Sequence, residues 1–174
     1  MRFDSQPFTV ATDTLDTLDL RSHHLICKRI MFYGDNVQDT RQLFFLSWHK
    51  YRQKKTLLPL EKQIADVILS HPEYHLLFDT NTPQDDQAYF PELGQSNPFL
   101  HMGLHLAIRD QVATNRPPGI SSIYQRLVDK YADINTVEHL LMDHLVECLW
   151  RAQRNQQMPD ETTYLNACRR LLTE

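Results

Sequence analysis

The chain has 174 residues, enough for a sizeable apolar core. Its 41% hydrophobic and 23% charged residues are ordinary for a globular domain. A formal charge of −4 and a pI near 6.1 argue against broad binding to nucleic acid or anionic membrane, and no apolar run approaches membrane-spanning length.

Three cysteines, Cys27, Cys148 and Cys168, have no close spacing, which excludes a disulfide framework and a CxxC zinc motif. They fit a reducing cytoplasm, and the N-terminus lacks the basic-then-apolar order of a signal peptide. Four glycines stand against nine prolines. With long leucine-rich periodic stretches, this points to an all-α fold. The nine histidines are the one compositional oddity.

Residues 1–30 are rich in Thr and Asp and show no clear amphipathic face; a loosely ordered or peripheral arm is expected. Helical spacing begins with Val37, Phe44, Trp48 and Tyr51, with Phe45 alongside, predicting a helix over about 37–53. Its end carries Lys50, Arg52, Lys54 and Lys55, cations that suit the negative end of the helix macrodipole better than they argue for phosphate binding. Pro59 opens a second helix with Leu60, Ile64, Val67 and Ile68 inward. Pro72 should break it after Ser70 or His71, leaving HPEYHLLF as a short separate helical segment.

The polar stretch 79–96 is long for a structureless connection in a compact domain, and is read as a surface crossing or a lid. A third helix starts at Pro98 with Asn97 as N-cap and ends before NRPPG. Ile120, Ile123, Tyr124, Leu127, Val128 and Tyr131 mark a fourth. A fifth runs from about Asn135 to Gln156, and Pro159 opens a last one with Leu165, Cys168 and Leu172 inward. The expected architecture is an irregular bundle of about five or six helices spanning 31–174 as one domain.

The third helix places His101 and His105 four residues apart, so both imidazoles project from one side and can reach one ion. Met102 stands where a zinc protease of the HExxH type has its glutamate, so that pattern is absent. In the fifth helix, His139, Asp143 and Glu147 follow at i, i+4 and i+8, along a strip about 80° wide at 100° per residue. This strip could complete a mixed His/carboxylate shell, suited to iron, manganese or zinc; equally, Asp143 and Glu147 could be a solvated face pairing with Arg151 or Arg154. Glu138 is either a sixth ligand or the N3 acceptor of a capping box with Asn135. His75 is a reserve ligand, with His71 at the edge of its segment; His144 faces elsewhere, and His23, His24 and His49 read as exposed. No phosphate-binding glycine loop, GxSxG elbow or base facing Cys148 is present.

From Met31 nearly to its end, the chain resembles the bacterial domain-of-unknown-function family 1841. The resemblance lies in LLPLEKQIADVILSHPEYH, ELGQSNPFLHMGLHLAIRDQV, RPPGI and EHLLMDHLVECLWRAQR. It implies a bacterial, cytoplasmic helical protein and no assigned activity. Members begin near the position of Met31, so residues 1–30 would be a mis-assigned start or a lineage-specific arm. His101, His105, Glu138, His139 and Glu147 fall on the family's His- and Glu-containing motifs; Asp143 stands where the family has a glutamate. The sequence thus offers two functions. One is a metal-binding bundle using His101, His105, His139, Asp143, Glu147 and Glu138. The other is a metal-free interaction or scaffold bundle with hydrogen-bonded core histidines. It assigns no reaction or partner, and a homo-oligomer stays open.

Overall fold

A computed structural model describes residues 37–79 and 97–173, with the side chains of Val37 and Gln38 left aside. The N-terminal arm, with Cys27, His23 and His24, lies outside the described residues, as does nearly all of the polar 79–96 stretch. Among the described residues there is no strand. Seven α-helices follow in order: α1 (Val37–Arg52), α2 (Pro59–Ser70), α3 (His75–Asp79), α4 (Pro98–Thr114), α5 (Ile120–Tyr131), α6 (Ile134–Arg154) and α7 (Glu161–Arg170). The all-α expectation holds; the count of five or six was low, because HPEYHLLF folds as a 3-10 turn, Pro72–Tyr74, that leads into the separate short α3. No helix among the described residues is long and apolar enough to cross a membrane.

Local chemistry sets the helix limits. Pro59 occupies the first turn of α2, where its missing N–H costs nothing, and Glu61 Oε2 accepts the Leu58 backbone N–H at 2.9 Å. Asn97 caps α4, its side chain accepting from the Phe99 and Leu100 amides at 3.0 and 3.2 Å. The cap of α6 is Asp133, which accepts from the Asn135 and Thr136 amides. Asn135 is therefore already inside the helix, and the capping box with Glu138, one of the two roles the sequence left open for that residue, does not form. The last helix starts at Glu161, capped by Asp160, two residues later than Pro159 suggested. The basic end of α1 is partly neutralised: Lys50 donates to Glu61 at 2.6 Å, and Arg52 pairs with Asp79.

Two apolar clusters form. The first joins α1, α2, α3 and α4 and is aromatic, with Phe44, Phe45, Trp48 and Phe78 packed beside Ile64, Ile68, Met102 and Leu106. The second joins α4, α5, α6 and α7 through Leu104, Ile108, Ile120, Leu127, Leu141, Leu145, Leu165 and Cys168. Helix α4 belongs to both. At about 100° per residue, Leu104 and Ile108 fall on one side of it and Met102 and Leu106 on the other. His101, His105 and Arg109, each four apart, run between these two apolar sides. A polar stripe is thus held in the seam between the cores. On α6, Val146 and Trp150 are exposed.

Replacing Asp133 with Ala should destabilise the protein by about 1 kcal/mol, as loss of an N-cap does, while Asn135→Ala should be nearly neutral. Urea unfolding checks this. Equal costs at the two positions would contradict the cap assignment.

Candidate metal centre

Four imidazoles meet in the seam. His71 comes from the end of α2, His101 and His105 from α4, and His139 from α6. One ring nitrogen of each lies within 4.8 Å of the others. The closest pairs are His71 Nε2 to His105 Nε2, at 2.9 Å, and His139 Nε2 to His101 Nε2, at 3.2 Å. Four nitrogens bound tetrahedrally to one ion at ~2.0–2.1 Å would sit about 3.3 Å apart, so the two closest spacings are near what one ion requires, and the wider ones, up to 4.8 Å, would have to close around it. His105 is 0% exposed and His71 4%, whereas His101 and His139 are half-buried, so the cluster has an inner and an outer side.

The outward nitrogens are held from behind. His105 Nδ1 donates to Glu138 Oε2 at 2.6 Å. Glu138, 1% exposed, also accepts from Arg109, through Nε at 2.8 Å and the second guanidinium nitrogen at 3.1 Å. His71 Nδ1 donates to Glu73 Oε1 at 2.8 Å, and His139 Nδ1 to the Asn135 carbonyl at 2.7 Å. A carbonyl oxygen can only accept, so the proton of His139 must sit on Nδ1. Burial works against a charged Glu138, but the bonds from His105 and Arg109 prevail and hold its carboxyl below the ordinary value. Glu73 is likewise lowered: burial opposes ionisation, and hydrogen bonds to its own amide and to His71 outweigh it. Both carboxylates are therefore acceptors.

These commitments leave Nε2 of His71, His105 and His139 as bare lone pairs facing inward. At 2.9 Å the His71–His105 contact then has two acceptors and no donor, unless a cation or an extra proton lies between them. Burial disfavours the extra proton: it is the main cause lowering the His105 imidazole, outweighing the raising effect of Glu138. His101 is pulled down to about 4, first by burial and then by the other three imidazoles, with Glu73 opposing.

The structure brings together His101, His105 and His139 of the sequence candidates. Glu138 stands one bond further out, behind His105, rather than among the inward-facing nitrogens. Asp143 and Glu147 are exposed, and Glu147 pairs with Arg151. His71 was missed; its signal was the HPEYH segment, where Pro72 ends α2 and turns the preceding residue, at φ −126° and ψ 72°, toward α4. The reserve ligand His75 lies elsewhere, its Nε2 donating to the Ile68 carbonyl and its ring against Trp48. His144 lines a groove of about 230 Å³ between α6 and α7, and His49 is half-buried rather than exposed. Burial pushes the Cys148 thiol up and Cys168 up to about 12, so neither offers a ready thiolate at neutral pH.

A family model described as a domain of unknown function, DUF1841, matches residues 36–170. No curated protein and no solved structure matches.

The depressed His101 fixes a pH dependence. An unfolded histidine titrates near 6.5. Between there and about 4, the unfolded chain binds a proton at residue 101 that the folded chain does not. Stability should therefore fall as pH drops through that window, and His105 acts in the same direction. In protein stripped of metal by a chelator, the urea midpoint should be lower at pH 5 than at pH 7, with a smaller difference in His101→Phe. An unchanged difference in the variant would contradict this.

Proposed function

The chain belongs to the DUF1841 family, and on that footing we propose that it binds one transition-metal ion in the α2–α4–α6 seam, through Nε2 of His71, His101, His105 and His139. The observation that carries this reading is the set of three inward lone pairs, whose opposite nitrogens are already committed to Glu73, Glu138 and the Asn135 carbonyl. Ligating histidines typically donate their second N–H to a carboxylate or carbonyl, which fixes the ring and strengthens the donor. An all-imidazole set suits zinc or iron better than manganese, which favours oxygen ligands. Glu138 acts as an orienting residue, with Arg109 holding it in place.

The rival reading, a metal-free scaffold bundle, would need a proton shared between His71 and His105. It gains from their 2.9 Å contact but has to place a charge in a buried group already lowered by burial. The two separate in one experiment. Protein purified without a histidine tag and reconstituted with zinc or ferrous iron should carry about one ion per chain by elemental analysis. His105→Ala should abolish stoichiometric binding, and Glu138→Gln should weaken it about 10–100-fold, the usual cost of an altered outer-shell partner. Wild-type protein that takes up no stoichiometric metal would overturn the proposal in favour of the scaffold.

A further inference from the structure

The four imidazoles are not equivalent, and the difference concerns the use of the site rather than its existence. His71, His105 and His139 each have Nδ1 anchored, to Glu73, Glu138 and the Asn135 carbonyl, at 2.8, 2.6 and 2.7 Å. Their Nε2 atoms are donors to a cation without any rearrangement of protons. Among the described residues His101 Nδ1 has no such anchor; the ring's hydrogen-bond partner is His139 Nε2, at 3.2 Å. Since His139 Nε2 is a lone pair, His101 Nε2 must carry the proton in that contact. To ligate through Nε2, His101 has to release that proton and take one up on Nδ1. The other three rings pay no such step.

His101 is also on the outer side. It is half-buried, where His71 and His105 are buried. Both half-buried rings pack against their neighbours, but His139 is also tied to the backbone of its own helix, whereas His101, edge-on to His71 at 4.8 Å and to Tyr74 at 5.9 Å, has only its contact with His139 besides. Packing of that kind constrains a ring less than a hydrogen bond to a fixed oxygen does.

We propose that the centre is a three-plus-one site: His71, His105 and His139 hold the ion, and His101 is an exchangeable fourth ligand that gives way to a small monodentate ligand, water or an anion, arriving from the half-buried side. This rests on the metal reading above. Three fixed protein ligands with one exchangeable position is the arrangement that lets an ion act on a substrate, whereas four fixed ligands close it.

Cobalt(II)-loaded protein, read by its visible bands with azide as the probe, tests this. His101→Ala should retain about one cobalt per chain, while His105→Ala should not. Azide should shift the bands of His101→Ala at a concentration about tenfold or more below that needed for wild type, because the competing imidazole is gone. If His101→Ala does not give a native far-UV circular dichroism spectrum, His101→Gln serves in its place with the same expectations. Loss of cobalt from the residue-101 variant as complete as from His105→Ala would overturn the proposal, leaving the four-ligand reading intact. Bands that azide does not move would also overturn it. Wild-type protein that takes up no cobalt, zinc or iron would overturn both.

Discussion

Three histidine Nδ1–H groups have already been spent on oxygens, and most of what this molecule can do in its interior follows from that. Once Glu73, Glu138 and the Asn135 carbonyl accept those protons, the three Nε2 atoms can only be acceptors. Buried acceptors facing one another are unfavourable unless a cation or donor joins them. The cost is sharpest at the His71–His105 contact, where both rings are buried. Glu138 illustrates the same logic from the outside. An ionised carboxylate in a core is tolerated when its oxygens are fully engaged, and here His105 and both Arg109 nitrogens engage them.

The polar cluster persists because α4 is shared between two apolar clusters. Met102 and Leu106 pack into the aromatic one, Leu104 and Ile108 into the aliphatic one. The stripe of His101, His105 and Arg109 between them is buried at His105 and half-buried at its two ends, and its groups are satisfied by residues of neighbouring helices: His71 from the end of α2, His139 and Glu138 from α6. An ion held there would link both clusters through side chains of three elements. Metal binding and fold stability would then be coupled, since the site exists only when those elements are docked.

Much of the fold was legible in the sequence, because it depends on local signals. Pro59, Asn97 and the Ile120–Tyr131 periodicity act within a turn or two of themselves, and their helices appear where the pattern put them. The pair His101/His105 was legible for the same reason. What was not legible depended on where a helix face points once packed. Each i+4 step along a helix advances the side chain by about 40°. From His139 those steps turn away from the buried side, so Asp143 and Glu147 emerge into solvent. Glu138 sits in line with Met142 and Leu145, the buried side of α6. Asp133 took the capping role that was one of the two readings open for Asn135 with Glu138. His71 was hidden by Pro72, which breaks the helical register on which i, i+4 reasoning relies. Only the tertiary path of α2 relative to α4 places its ring beside His105.

The central claim is that one ion sits among imidazole nitrogens and not among carboxylate oxygens. X-ray absorption at the metal edge of the reconstituted protein addresses that directly. The account expects a first shell dominated by nitrogen at about 2.0–2.1 Å, with the outer-shell scattering pattern of three or four imidazole rings. A first shell of oxygens without imidazole scattering would contradict it.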